Sequence, residues 1–332
     1  MAKLSRRRFI AVTGIAAGLA LSSRWSRAAA SPLRWRGTAM GAEASITLYH
    51  PDPAAARAVI EAAEAEIARV EAVFSLFRRD SALVRLNRDG RLDRAPPLFL
   101  DLLAQARAMA EVSDGAFDVT VQPLWALYSR HFARMDADPA GPPADAMARA
   151  AAAVGWRDLI GEGDAVWFRR PGMAATFNGI AQGYVTDRVA ELMRQAGIID
   201  VLLDLGEFRA MGSHPDGRAW TVGVADPRAP DRLLETLELR QGAVASSGGY
   251  GTVFDPAGHF HHLFDPASGR PSPSWAGVTV AAATATRADG LSTALAVAPP
   301  DKAEAIFAAG EGRSAMLVAA DGTVRRLEQH RT

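Results

Sequence analysis

Three oxygen-bearing side chains lie close together within residues 286–295. Asp289, Ser292 and Thr293 are three and four residues apart, and in a helix these offsets place side chains on one face. A carboxylate and two hydroxyls suit a hard cation such as Mg²⁺, and a helix N-terminus attracts the phosphate oxygens that such a cation binds. The segment predicts a Mg²⁺–phosphate site. The alternative is that these residues only cap the first turn of a helix.

A glycine-containing segment at the start of another predicted helix offers a second ligand-binding position. Residues 178–184 read Asn-Gly-Ile-Ala-Gln-Gly-Tyr. Glycines let a backbone approach a ligand closely, and the N–H groups at a helix start attract anions. The same segment is equally compatible with a tight turn between a strand and a helix.

Two residues could handle a proton or orient a ligand. Asp118 follows Phe117 where a strand would begin, and it could accept hydrogen bonds from a heterocycle, act as a base, or form an Asx-turn. His262 stands among aromatic residues in a segment expected to be a strand. His259 and His261 would share the other face and could be a zinc pair, but the chain has no Cys to complete such a site.

Two polar loops that contain glycine follow predicted strands. They cover residues 204–209 and 246–250. Polar residues at the carboxyl end of a strand often line a ligand crevice. These loops therefore predict a binding cleft, although they do not identify a reaction.

The first 30 residues have the layout of a twin-arginine export signal. A basic start over residues 5–8 precedes an apolar stretch over 9–21 and three alanines at 28–30. The apolar stretch is too short to span a bilayer, and small residues suit a signal peptidase. We expect residues 1–30 to be removed, which leaves 31–332 as one domain.

Charge and cysteine content narrow the possible functions. The signal holds six of the 37 Lys and Arg residues and none of the 37 Asp and Glu residues, so the remaining chain has a net charge of about −6. An acidic chain argues against nucleic-acid binding. The chain has no cysteine for disulfides or for a lipid anchor after the signal. We expect a soluble periplasmic protein with no membrane anchor.

The predicted elements indicate an α+β protein. Apolar periodicity predicts helices over residues 52–75, 97–112 and 180–196, and two shorter helices near 289–298 and 301–309. Short segments bounded by Gly or Pro predict strands at 201–205, 220–225, 234–240, 243–246, 278–283 and 315–319. The strands cluster instead of alternating regularly with helices, which favours a single domain of two packed lobes.

Taken in order, these segments resemble the ApbE family of FAD:protein FMN transferases. Seven stretches carry the resemblance, and together they span nearly the whole chain after the signal. They are residues 37–41, 74–81, 115–118, 178–183, 206–212, 262–266 and 288–295.

The resemblance implies an ApbE-like fold with FAD in a cleft between two lobes and Mg²⁺ at its pyrophosphate. It implies transfer of FMN from FAD to a Thr or Ser hydroxyl of a target protein through a phosphoester bond, with AMP released. By position, Asp289 and Thr293 would bind the metal, with Ser292 as a helper and Gly179 contributing its carbonyl. The residues implied to line the flavin and adenine pockets are Met40, Phe77, Ala116, Phe117, Asp118, Thr176, Gln182 and Leu263.

The chemistry of the family gives roles to the two candidates for proton transfer. His262 would handle a proton or orient the phosphate, and Asp118 would bind the flavin or act as a base. The nucleophile belongs to the target protein. That arrangement fits a chain with no Cys and with Lys302 as the only lysine after the signal.

Several positions depart from the family's pattern. An acid is common where Thr176 stands, and Lys or Glu is common at Gln182. Many members have Tyr at Phe77. Many members have two consecutive glycines at the position where this chain has Gly206 followed by Glu207. Two alternatives therefore stay open: a periplasmic FAD-binding carrier or assembly factor without transferase activity, and a Mg²⁺-dependent FAD pyrophosphatase.

The chain also looks like the accessory flavinylation proteins of periplasmic respiratory systems, such as nitrous-oxide reduction. An exported member without a lipid anchor fits that group. The target would then be a flavin domain of a membrane-bound electron-transfer protein, and no nucleic acid would take part.

Overall fold

The structure is a computed structural model of the 332-residue chain, and it describes residues 10–11 and 32–329. The predicted export signal, residues 1–30, lies outside the described residues except for a two-residue strand. Within the described part, no helix is both long enough and apolar enough to cross a bilayer.

The strands and helices are listed here in chain order. The strands are β1 (Ile10–Ala11), β2 (Leu33–Ala39), β3 (Ala42–Leu48), β4 (Arg91–Leu92), β5 (Leu159–Glu162), β6 (Ala165–Phe168), β7 (Val201–Asp204), β8 (Phe208–Met211), β9 (Trp220–Asp226), β10 (Ala229–Leu239), β11 (Gly242–Ser247), β12 (Gly277–Ala282), β13 (Ser314–Val318) and β14 (Val324–Glu328). The helices are α1 (Pro53–Phe74), α2 (Ala82–Asp89), α3 (Pro97–Val112), α4 (Gln122–Phe132), α5 (Ala144–Ala151), α6 (Ala181–Gln195), α7 (Ala285–Val297) and α8 (Ala303–Ala309).

The main sheet has eight strands in the order β14-β13-β12-β11-β8-β7-β3-β2, and each neighbouring pair is antiparallel. One face is covered by α1, α6 and α7, which form the principal hydrophobic core with the sheet. The antiparallel pair β9–β10 contributes Trp220 and Val222 to a second core, which also contains Phe208 and Val244 of the main sheet. The main sheet is therefore buried on both faces near its centre.

Helix α1 shows how the sequence determines its own boundaries. Asp52 precedes the helix and accepts hydrogen bonds from the N–H groups of Ala54 and Ala55 at 2.8 and 3.3 Å. Pro53 occupies the first helical position, where its missing N–H costs nothing. The buried apolar side chains along the helix lie on one face and are Ala56, Ile60, Ala63, Ile67, Val70, Val73 and Phe74.

A smaller lobe contains α4, α5 and an aromatic cluster. Tyr128 of α4 packs against Phe264, with ring centroids 5.0 Å apart. Phe254 and Phe260 also contact Tyr128, with centroids 6.1 and 5.7 Å apart. These aromatic contacts hold the segment around residues 252–265 against α4.

The α+β prediction is confirmed, and so are the predicted helices at α1, α3 and α6 and the predicted strands at β7, β9, β11, β12 and β13. Helices α2 and α4 and the strand pair β2–β3 were not predicted. The stretch containing His259 and His262 is not the regular strand that was expected, because it makes only isolated bridges at Val253–His261 and Phe264–Pro271.

Candidate active site

A cavity of about 650 Å³ lies where the main sheet and the smaller lobe meet. Cofactor and substrate pockets have volumes of roughly 300 to 1,000 Å³. The predicted site residues that line this cavity are Phe77, Ala116, Phe117, Asp118, Thr176, Gly179, Gln182, His262, Leu263, Asp289 and Thr293. Met40 and Ser292 are not among the lining residues, although Gly41, next to Met40, is.

Asp289 is not a helix cap. Helix α7 begins at Ala285, one turn earlier than predicted, so Asp289 lies in its second turn. The start of α7 is capped by other groups: Thr284 accepts from the Arg287 N–H at 3.3 Å, and Asp187 of α6 accepts from the Ala285 N–H at 2.8 Å. The capping alternative for Asp289 therefore fails.

The carboxylate of Asp289 joins α7 to the start of α6. It is 4% exposed, and its Oδ2 accepts a hydrogen bond from the Gly183 N–H at 2.9 Å. Glycine is required at position 183, because a Cβ there would lie 2.2 Å from the Ala285 carbonyl oxygen. Close approach of the two helices thus places a buried carboxylate beside the glycine-containing segment.

Oxygen atoms from α7, from the segment before α6 and from β11 lie close to one another next to this part of α7. The Thr293 hydroxyl donates to the Gly179 carbonyl oxygen at 3.2 Å. Ser247, the last residue of β11, has its Oγ 3.1 Å from Thr293 Oγ1 and 2.7 Å from Ser292 Oγ. Ser292 is fully buried and donates to the Asp289 carbonyl at 3.0 Å, so its geometry fits support of the ligands better than ligation.

This donor set fits Mg²⁺ in its chemistry. One carboxylate, one backbone carbonyl and one hydroxyl are hard oxygen donors, and Mg²⁺ is commonly held by few protein ligands together with substrate phosphates. Among the described residues, no three His, Cys, Asp or Glu side chains come together as a metal site. His259 is exposed beside Asp255, and His261 Nδ1 accepts from the Leu263 N–H at 3.3 Å, so the zinc pair gains no geometric support.

His262 reaches the cavity from the segment held by the aromatic cluster. Its backbone N–H donates to the Thr252 carbonyl at 3.1 Å, and its Nδ1 lies 3.3 Å from the same oxygen. A carbonyl only accepts, so Nδ1 carries the proton in the neutral ring. Nε2 is then the ring atom that can accept a proton.

Asp118 lines the cavity but its carboxylate is held by the chain. Its Oδ1 accepts from the Thr120 N–H at 2.7 Å and the Thr120 hydroxyl at 2.6 Å, and its Oδ2 accepts from the Trp156 N–H at 3.0 Å. Burial raises the pKa of the Asp118 carboxyl, and these three donors oppose the rise by stabilising the carboxylate. The bond to the Thr120 N–H is that of an Asx-turn, so the geometry favours a positioning role.

Replacing Asp118 with Ala tests that role. We expect the free energy of unfolding to fall by about 2–3 kcal/mol, because the N–H groups of Thr120 and Trp156 lose their acceptor in a buried setting. Chemical denaturation would measure the loss. The matched control is Asp93→Ala, which removes an exposed ion pair with Arg91 and should change stability by less than about 0.5 kcal/mol. Full stability of Asp118→Ala with loss of catalytic activity would instead support a role in proton transfer.

The remaining predicted pocket residues form the walls and the rim. Phe77 follows α1 and is 77% exposed at the edge of the cavity, whereas Phe117 and Leu263 are buried in its wall. The backbone at Thr176 is held by a hydrogen bond from its N–H to the Val119 carbonyl oxygen at 2.7 Å. Gln182 lies against Gly206, where a Cβ would come within 2.4 Å of the Gln182 Nε2.

Met40 and Gly41 form the two-residue turn between β2 and β3. Their φ values are 50° and 78°, as in a type I′ hairpin turn. The Met40 N–H donates to Glu71 Oε1 of α1 at 2.8 Å, which holds this unfavourable conformation in place. The turn thus brings Gly41 to the rim of the cavity, with Met40 beside it.

Comparison with known proteins identifies the family. The ApbE family profile matches residues 40–317, which include every predicted site residue. The chain belongs to the ApbE family. A relative from Haemophilus influenzae, an FAD:protein FMN transferase, is 32% identical over 255 residues, 73% of this chain and 73% of its own. One from Klebsiella pneumoniae, with the same description, is 28% identical over 280 residues, 81% of this chain and 79% of its own.

Solved ApbE structures have the same fold. An ApbE protein of Thermotoga maritima gives a TM-score of 0.79 at 27% identity, covering 90% of this chain and 97% of its own. The flavin transferase ApbE of Vibrio cholerae gives 0.78 at 25% identity, covering 91% and 98%. The predicted ApbE-like fold is therefore confirmed.

Several cavity residues of this ApbE chain were not singled out from the sequence. Trp125 lies on α4, a helix that was not predicted. Ser247, Tyr250 and Glu207 belong to the two polar loops that were noted, but the sequence did not indicate which side chains would face the cavity. Burial and the nearby Glu207 carboxylate both raise the pKa of the Tyr250 phenol. The pattern of polar residues and glycine in the two loops was the sequence signal that could have indicated Ser247, Tyr250 and Glu207.

Proposed function

We propose that this chain is an FAD:protein FMN transferase that uses Mg²⁺ and modifies a Thr or Ser hydroxyl of a target protein. Membership of the ApbE family supports the enzyme class. The observation that carries the metal part is the oxygen cluster of Asp289, Gly179 and Thr293 on the cavity wall. A divalent ion held there would neutralise phosphate charge and stabilise the leaving group.

The reaction is a displacement at the phosphorus of the FMN half of FAD. The acceptor hydroxyl oxygen forms a bond to that phosphorus, and the bond to the bridging oxygen of AMP breaks. The hydroxyl proton must leave as the new bond forms. His262 is the proposed acceptor or phosphate-orienting group, because its ring lines the cavity and its Nε2 can take a proton.

The pocket walls supply orientation. Phe77 at the rim and Phe117 in the wall offer aromatic surface for the flavin or adenine rings. Helix α6 begins beside the cavity, and the positive end of its dipole favours the negatively charged pyrophosphate. The Asp118 carboxylate accepts a hydrogen bond from the Trp156 N–H, which fixes the position of the neighbouring Phe117 in the cavity wall.

We also propose that residues 1–30 direct export to the periplasm by the twin-arginine route and are then removed, leaving residues 31–332. The acceptor would then be an exported domain, and a membrane-bound electron-transfer subunit is the proposed class. The order of basic, apolar and small residues in the sequence supports the export signal.

The deciding experiment incubates the purified chain with FAD, Mg²⁺ and a candidate flavin-acceptor domain. We expect the acceptor to gain the mass of one FMN on a Thr or Ser, with in-gel flavin fluorescence, and AMP to appear in equal amount. EDTA should abolish the gain, because without a divalent cation the phosphate charge is no longer neutralised. Added Mg²⁺ should restore it.

The same assay separates the alternatives. AMP and free FMN without a modified acceptor would indicate a pyrophosphatase. Tightly bound, intact FAD with no modification of a second acceptor would indicate a carrier. The replaced positions Thr176 and Gln182 motivate the carrier, whereas the complete oxygen cluster at Asp289 argues for catalysis.

A further inference from the structure

We infer that Ser247 positions the Thr293 hydroxyl so that both Thr293 and the Gly179 carbonyl can bind the cation. The inference rests on the metal site proposed above. Ser247 is half-buried at the end of β11 and lines the cavity. Its Oγ lies 2.7 Å from Ser292 Oγ and 3.1 Å from Thr293 Oγ1, so it links two hydroxyls of α7.

The number of available protons sets the direction of these hydrogen bonds. Each hydroxyl donates one proton and accepts through two lone pairs. Ser292 donates to the Asp289 carbonyl at 3.0 Å, because a carbonyl can only accept. While Ser292 donates to that carbonyl, it accepts in the 2.7 Å contact with Ser247, and Ser247 is the donor. The only proton of Ser247 is then used, and its oxygen is left as an acceptor towards Thr293.

The Thr293 proton has two acceptors within reach. One is the Gly179 carbonyl at 3.2 Å, and the other is Ser247 Oγ at 3.1 Å. A hydroxyl that binds a cation through a lone pair must direct its proton to another acceptor. If that acceptor were the Gly179 carbonyl, the two proposed ligands would be hydrogen-bonded to each other instead of both binding the cation. Ser247 offers the alternative, which makes the oxygens of Thr293 and Gly179 available together.

Ser247 is therefore a positioning residue that acts through Thr293. Groups that hydrogen-bond to metal ligands orient them, and removing such groups typically weakens metal binding by about 10- to 100-fold. We expect Ser247→Ala to weaken Mn²⁺ binding by that factor. Binding would be measured on the full chain with FAD present, by titrating free Mn²⁺ with electron paramagnetic resonance. The thermal midpoint of the variant without metal should match that of the unmodified chain.

The neighbouring serine provides a matched control. Ser246 is also half-buried in β11, and its hydroxyl is hydrogen-bonded to Thr279 Oγ1 at 2.8 Å. Ser246 also lines the cavity, but its hydroxyl bonds to β12 and not to α7, so Ser246→Ala removes a comparable bond that does not reach Thr293. We expect this variant to bind Mn²⁺ as the unmodified chain does. Ser247→Thr keeps the hydroxyl and should recover most of the affinity.

The outcomes separate the role of Ser247 from the metal site itself. Equal Mn²⁺ affinity of Ser247→Ala and the unmodified chain would overturn the positioning role and leave the metal site standing. Equal weakening by Ser246→Ala would also overturn it, because the loss would then follow general loosening of β11. If the unmodified chain bound no Mn²⁺ with FAD present, the proposed metal site would be wrong, and the role of Ser247 with it.

Discussion

Asp289→Asn is expected to reduce FMN transfer about a thousandfold or more while the protein stays folded. The substitution keeps the size of the side chain and an oxygen that can accept from the Gly183 N–H. It removes the negative charge that holds the cation, and metal stabilisation of phosphoryl transfer contributes several kcal/mol, with each 1.4 kcal/mol worth about a factor of ten. The free energy of unfolding should change by less than about 1 kcal/mol.

Three measurements check this expectation: intact mass of the acceptor, Mn²⁺ binding, and chemical denaturation. Asp231→Asn is the control, since it makes the same change on the exposed part of β10, and it should transfer FMN normally. Normal transfer by Asp289→Asn in the presence of Mg²⁺ would show that the metal site has been assigned to the wrong residue.

Gly183→Ala is expected to disrupt the site by separating α6 from α7. A Cβ at position 183 would lie 2.2 Å from the Ala285 carbonyl oxygen and 2.8 Å from the Asp289 Cβ. Neither atom is the end of a flexible side chain, so the helices themselves must move. Overpacking of this kind costs about 3 kcal/mol, and the displaced Asp289 should no longer support transfer.

Gly290→Ala is the control, because it makes the same substitution within α7. A Cβ there would lie 3.2 Å from Ile180 Cδ1 and 3.3 Å from Met109 Cγ, both in side chains that can adjust. The gain in helix propensity, about 1 kcal/mol, should offset this crowding. Thermal denaturation and the transfer assay compare the two variants. Equal stability of Gly183→Ala and the unmodified chain would contradict the close packing described for these helices.

Features encoded within one element were predicted from the sequence. Helix α1 could be predicted because Asp52, Pro53 and the apolar stripe are all local signals. Asp289 and Thr293 could be placed together because they are four residues apart on one helix. The family resemblance then gave Gly179 its place beside them, and the structure brings its carbonyl within 3.2 Å of Thr293 Oγ1.

Features that depend on distant partners were not predicted. The start of α7 was placed late because part of its cap is supplied by Asp187, 98 residues earlier than Ala285. The Asp118 carboxylate is held by Trp156, 38 residues away, so its local sequence left both the Asx-turn and a catalytic role open. The hairpin turn at Met40 depends on Glu71 of α1, and a methionine gives no turn signal.

The contact between α6 and α7 has a consequence for the order of folding. The bond from Gly183 to Asp289 joins residues 106 apart, and the bond from Thr293 to Gly179 spans 114. Contacts between positions so far apart form only after long loops have closed, which makes them slow. The oxygen cluster therefore forms only once α6 and α7 have packed together. Metal uptake would then report that this packing is complete, because the proposed ligands Gly179, Asp289 and Thr293 come from both sides of the contact between α6 and α7.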